Sequence, residues 1–172
     1  MKKSEIENYL WSTSDELLSL VISSNEELFY KKNNNKWSVA ENVAHLSLSA
    51  KLMSKALNAP KIALLIKFGI NLKTFRNEEW LLKTYNEATL PATTGFEPRL
   101  KKTSTKEYEL EEFKNAHKKL IKSLEKWPEW TLDRIQLPHV VYGKLSLREY
   151  LIFICFHIKH HKKAINTILE TK

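Results

Sequence analysis

Apolar residues recur at spacings of three, four and seven along four stretches of this chain, the period of an α-helix laying one stripe against a core. No other feature narrows the choice of fold as far. The first stretch runs from about Ser4 to Tyr30 through Ile6, Leu10, Leu17, Val21 and Leu28, with Ser12 to Ser14 as a place where it can bend or break. The second begins at Ser38, where Ser38-Val39-Ala40-Glu41 has the form of a capping box: a serine oxygen for an orphan amide, and a glutamate reaching back. It continues to about Asn58 and is stopped by Pro60. The third spans Glu107 to Trp127, closed by Pro128, with the stripe Leu110, Phe113, His117, Leu120, Leu124 and Trp127. The fourth starts at Ser146, where Ser-Leu-Arg-Glu to Glu149 is a second capping box, and runs almost to the last residue. Lys31 to Lys36, with Asn33-Asn34-Asn35 inside it, reads as a polar turn.

These elements predict an all-α protein: a four-helix bundle with a long crossover connection between helices 2 and 3, in one domain covering residues 1–172. Only 3 glycines and 5 prolines occur, too few for the tight turns of a sandwich or barrel. The crossover, Lys61 to Lys106, holds an apolar stretch from Ile62 to Phe75 and a looser piece with Pro91, Gly95 and Pro98. A structureless loop of that length is uncommon in a compact domain, so part of it is expected to form short helices. Ile62 to Leu72, flanked by Lys61, Lys67 and Lys73, has the composition of a membrane-surface helix but is read as packing across an end of the bundle.

Cys155 is the sole cysteine, so there is no disulfide framework and no reason to infer an oxidising compartment. No apolar run approaches a membrane span, and the amino-terminal residues are charged and amphipathic rather than signal-like. A soluble cytoplasmic protein without a membrane partner is expected. The formal charge of +8 favours anionic partners through the general field, yet only Arg76, Arg99, Arg134 and Arg148 are arginines. Lysine-rich solvated helix surface, not a nucleic-acid face, is the reading. Tyr150 to Phe156 is apolar nearly all round its helix and needs cover, from the crossover or from a second subunit in a homodimer.

The histidines carry the chemistry. On the fourth helix His157 and His161, four residues apart, share the face of Leu147, Tyr150, Leu151, Ile154, Ile158, Ile165 and Ile168, with Arg148, Lys159, Lys162 and Lys163 on the opposite side. On the second, His45 shares a face with Ser49, Leu52 and Ala56. An unpartnered buried polar group costs roughly 1–3 kcal/mol, so three inward imidazoles call for a common explanation. One is a divalent cation: two imidazoles one turn apart and a third from a facing helix make three ligands with a position open for water or substrate. Imidazole suits Zn and Ni foremost, with Fe, Mn or Cu also compatible. The other is three core histidines, each hydrogen-bonded locally. Ile158 stands where a zincin would carry glutamate, which argues against a peptidase.

Lys36-Trp37-Ser38 with Glu41 and His45-Leu46, followed later by Tyr142-Gly143-Lys144-Leu145-Ser146-Leu147-Arg148-Glu149-Tyr150 leading to His157 and His161, resembles the DinB-like superfamily, which includes YfiT-type metal-dependent enzymes. The resemblance covers about Trp37 to Leu57 and Leu137 to Leu169. It implies a four-helix bundle, a metal triad on His45, His157 and His161, frequent dimers, and small-molecule chemistry. In such relatives a divalent metal brings a low-molecular-weight thiol to an electrophile, or serves isomerisation or hydrolysis. The chain departs from the pattern at Pro138-His139, where many relatives have His-Pro, and at Lys51, where relatives often carry an acid. Both departures bear on the substrate pocket.

Further candidates have simpler explanations beside them. His117, in the third stripe, is either a partner supporting the triad or a core histidine. Glu41, one turn before His45, is a catalytic base or only a cap. His139 lines a pocket mouth or a turn, and Tyr142 and Tyr150 supply a phenol or aromatic packing. His160 falls at the edge of the metal face. Cys155 points away from the triad and reads as a small buried hydrophobe. A non-catalytic small-ligand-binding or sensing bundle is the alternative to an enzyme.

Overall fold

Serines 38 and 146 cap helices as their spacing to Glu41 and Glu149 predicts. Ser38 Oγ accepts the Glu41 amide at 3.2 Å while Glu41 Oε2 accepts the Ser38 amide at 2.8 Å. Ser146 and Glu149 repeat the exchange at 3.2 and 2.8 Å. The structure, a computed structural model, describes residues 1–32, 36–88, 96–98, 100–101 and 103–170. Asn33 to Asn35, Pro91, Gly95 and Arg99 lie outside the described residues.

Helix α1 is Lys3–Ile22 and α2 is Glu26–Tyr30. The first stretch therefore breaks at 23–25, not at Ser12 to Ser14. There the Thr13 and Ser14 hydroxyls fold back onto the Tyr9 and Leu10 carbonyls at 2.7 and 2.6 Å, which leaves the helix intact. Asn25 supplies the break by capping α2, its Oδ1 accepting the Leu28 amide at 2.7 Å. Helix α3 is Val39–Leu57, and the crossover contains α4, Lys61–Phe68, and α5, Glu78–Glu87. Helix α6 is Lys106–Glu125 and α7 is Leu147–Glu170. Before α7 lies an unexpected antiparallel hairpin, β1 (Gln136–His139) with β2 (Gly143–Ser146), in register Gln136 with Ser146 and His139 with Gly143. Gly143, at φ +73°, supplies the left-handed residue that lets so short a pair turn.

Side-chain contacts give the directions of the four long helices. Lys3, at the start of α1, donates to the Glu125 carbonyl at 2.9 Å, and Lys106, at the start of α6, donates to the Ile22 carbonyl at 3.0 Å. These two helices are antiparallel. Tyr9 meets Phe156 and Glu16 meets Lys162, so α1 and α7 are parallel. Asn42 meets His161 and His45 meets His157, so α3 opposes α7. Helices α3 and α6 consequently run the same way side by side, joined by Ser54 Oγ to Ser123 Oγ at 3.1 Å and by Trp127 Nε1 to the Leu57 carbonyl at 2.8 Å. A chain that leaves one helix and enters a parallel neighbour must travel back along the bundle, about 30 Å for a 20-residue helix. The long crossover is thus a geometric requirement.

Two arginines fasten the base of α7. Arg148 is buried, contrary to its place on the solvated side of the helical wheel, because Asp133 takes its guanidinium through two bonds of 2.7 and 3.0 Å and the Met1 carbonyl takes a third. Arg76 forks onto Glu149 at 2.8 and 2.9 Å, tying the crossover to the α7 cap. The apolar girdle Tyr150 to Phe156 is covered within the chain: Tyr85 of α5 meets Phe153, and Tyr9 of α1 meets Phe156. Helix α4 is only half accounted for by end-packing. Leu64 is buried and Leu65 and Phe68 lean on the core, but Ile62 and Ile66 face outward.

Candidate metal centre

The wheel misplaces the neighbours of His45. The core face of α3 is Val39, Val43, Leu46, Ala50, Met53 and Leu57, with Ser49 half-buried and Leu52 exposed. His45 sits at the edge of that face and is buried by what covers it. The Trp37 indole lies 4.9 Å from its ring, and its Nδ1 donates to the Phe96 carbonyl at 2.5 Å. His157 and His161 come from successive turns of α7, where the helix faces the first turns of α3.

The three Nε2 atoms converge. His157 Nε2 lies 3.1 Å from His45 Nε2 and 3.0 Å from His161 Nε2, and the set could hold a metal ion. Ligand nitrogens at about 2.0–2.1 Å from one cation stand about 2.8–3.4 Å apart, from right-angled to tetrahedral arrangements, so the spacing is that of neighbours on a single ion. The opposite nitrogens decide the tautomers. His161 Nδ1 donates to Asn42 Oδ1 at 2.6 Å, as His45 Nδ1 does to Phe96, so both rings carry the proton on Nδ1 and turn a lone pair toward the common point. His157 Nδ1 is buried without a hydrogen-bond partner among the described residues.

Electrostatics keep this cluster uncharged. Burial drives the His157 and His161 imidazoles well below the usual histidine range, and repulsion from neighbouring imidazoles pushes the same way. Burial lowers His45 too, against the opposing pull of the Phe96 carbonyl. Three neutral donors crowded together without counter-charges suit a cation. They do not fit three independently satisfied core histidines, because two Nε2 lone pairs face a His157 Nε2 that can give at most one proton. Aromatic walls hold the rings: Trp37 stacks on His161 with planes 8° apart, and Phe153 on His157 at 20°.

The other candidates lie elsewhere. His117 donates from Nδ1 to the Phe113 carbonyl at 2.9 Å, while its Nε2 is buried without a hydrogen-bond partner among the described residues, and burial lowers its pKa to about 4. Glu41 is spent on its cap and on Lys32, at 2.9 Å. Tyr142 donates to the Leu81 carbonyl at 2.7 Å, and His139 Nδ1 accepts the Val141 amide at 3.1 Å while its ring packs on Phe153. Tyr150 is half-buried against the same ring, and burial raises its phenol. His160 is exposed beside Tyr85, Cys155 is buried with its thiol pushed up, and Lys51 pairs with Glu112.

Sequence reasoning missed Asn42, Phe96 and the roles of Trp37 and Phe153. Asn42 had a signal, since it precedes His45 by one helical step of three. The Phe96 carbonyl had none, because every residue carries one.

A family model described as the DinB superfamily matches residues 9–165, from α1 to α7. No curated protein is significantly similar to the chain. Among solved structures the fold is similar to TT2238, described as a four-helix bundle protein, with a TM-score of 0.63 and 15% identity over 96% of this chain and 98% of that one. At that identity the likeness concerns the fold alone.

Proposed function

The chain belongs to the DinB superfamily, and on that premise we propose that it is a cytoplasmic metal-dependent enzyme acting on small molecules, with His45, His157 and His161 as ligands of one divalent cation. The observation supporting this reading is the convergence of three buried Nε2 atoms at the spacing of a shared ion, two of them on rings whose Nδ1 carries the proton. Zn or Ni fits the all-imidazole set best, with Fe, Mn or Cu compatible. A cation held there supplies Lewis acidity, enough to lower the pKa of a thiol or water at an open position or to polarise a carbonyl. The chain's own residues prepare the site. Asn42 and the Phe96 carbonyl keep the Nδ1 protons in place so that the Nε2 lone pairs stay free. Trp37 and Phe153 fix two ring planes and keep water from their faces. Transfer of a low-molecular-weight thiol to an electrophile, or hydrolysis, is the reaction class this arrangement serves. Elemental analysis of protein purified without a histidine tag is expected to find about one metal per chain, lost in His157→Ala and His161→Ala. Wild-type protein that takes up none of Zn, Ni, Fe, Mn and Cu in calorimetric titrations would end this reading.

One observation favours a non-catalytic ligand-binding bundle instead: Glu41, Tyr142 and His139, the candidates weighed for a catalytic part, are each engaged in structural hydrogen bonds. Saturable binding with no turnover across thiols, esters and amides is the outcome this alternative expects. Turnover abolished by His45→Ala decides for the enzyme.

A further inference from the structure

Between Glu41 and Glu78 the chain has no aspartate or glutamate, yet Lys51, Lys55, Lys61, Lys67, Lys73 and Arg76 fall in that interval. Helix α4 lies in its middle. Ile62 and Ile66, one turn apart on its outer face, are 69% and 82% exposed, and Leu72 beyond it is 84% exposed. Ile70 is 55% exposed, so aliphatic surface persists through residues 62–72. Single exposed apolar residues are ordinary, but four within eleven residues, interleaved with cations, mark a contact surface. The segment is held in place, not dangling: the Asn71 amide donates to the Arg134 carbonyl at 2.8 Å, and Ile70 bridges to Ile135. Among the described residues Lys61, Lys67 and Lys73 form no ion pair. Lys61 Nζ stands 4.8 Å over the Trp127 ring and Lys67 Nζ 5.3 Å over Phe68, while Lys144 Nζ reaches the Phe68 carbonyl at 3.2 Å. Glu129 and Asp133, on the adjoining segment, are both engaged by Arg148.

We propose that this face docks on an anionic phospholipid surface, with Ile62, Ile66 and Leu72 entering between headgroups and Lys61, Lys67 and Lys73 meeting lipid phosphates. No helix among the described residues is long and apolar enough to cross a membrane, so the contact is peripheral. A nucleic acid would leave the isoleucines without a partner, since phosphate and base-edge contacts are polar. A second copy related by a twofold axis would set these lysines against their own equivalents. Helix α4 leaves the end of α3 remote from His45, 12 residues or roughly 18 Å along the axis, so docking leaves the histidine end facing away from the lipid.

The test is flotation of the full-length protein with vesicles of phosphatidylcholine alone and of phosphatidylcholine mixed with phosphatidylglycerol. Binding to the mixed vesicles alone is expected, weakening about fivefold for each of Lys61, Lys67 and Lys73 replaced by alanine. The Ile62→Ser/Ile66→Ser double variant should lose binding at least about tenfold. Both isoleucines already face water, so its helicity and melting temperature should match the wild type. Equal affinity for the two vesicle types, or a double variant that floats like the wild type, overturns the proposal. A wild-type dimer that becomes monomeric in the double variant by light scattering assigns the face to a second copy and also overturns it. None of these readouts depends on metal at the histidines.

Discussion

His117 and Asn42 show how single residues tune the interior of this bundle. His117 is neutral in the fold, its pKa lowered to about 4, whereas in the unfolded chain an imidazole titrates near 6.5. Between those values the unfolded chain takes up a proton that the folded chain refuses. The associated stability is complete above about pH 6.5 and lost as pH falls toward 4, on the order of 3 kcal/mol in full. Urea denaturation at pH 7 and pH 5 should therefore give a smaller pH difference for His117→Leu than for wild type. An identical difference would remove His117 from the account. Asn42 acts through His161: Asn42→Leu leaves the helix in place but frees the Nδ1 proton it fixes. Metal affinity in a chelator competition should fall about 10–100-fold.

The α7 cap is the joint on which several elements hang. Glu149 closes the capping box on Ser146 and receives the Arg76 guanidinium, so one carboxylate ties hairpin, crossover and helix together. Burial by itself would raise its pKa, but the Arg76 and Ser146 bonds outweigh burial and hold it below the usual carboxylate range. Glu149→Gln removes the charge while keeping the shape, stranding a partly buried arginine. A loss of about 2–4 kcal/mol in urea unfolding is expected, together with faster amide exchange in the first turn of α7. Serine and glutamate three residues apart announce this cap in the sequence. Arg76, 73 positions away, does not announce itself.

At the scale of the molecule, the parallel pairing of α3 with α6 forces the crossover, and the meeting of α3 with α7 makes the metal centre. A cation bound to the folded chain alone stabilises it by mass action, about 2.7 kcal/mol at a hundredfold excess over Kd. For a chain of this size that raises the melting temperature by about 5–10 °C. Scanning calorimetry with Zn or Ni should show the rise in wild type, its reversal by chelator, and its absence in His157→Ala. A metal-independent melting temperature in all three would count against bound Zn or Ni.

Signals that act within one turn of helix were legible from the sequence: the boxes at Ser38 and Ser146, the periodic stripes, and the pairing of His157 with His161 on one face of α7. Their physics is local, so the residues that matter lie three or four positions apart. What depends on how helices are rotated and aimed was decided only by tertiary packing. The wheel placed Arg148 in solvent, but Asp133 and the Met1 carbonyl draw it inside. It gave His45 the company of Leu52, whereas the burial of His45 comes from Trp37 and Phe96, and Phe96 stands 51 positions away in the sequence. Helical spacing can show which side of a cylinder a ring is on. The point where three rings meet is set by the relative placement of two cylinders, and long-range packing determines that placement.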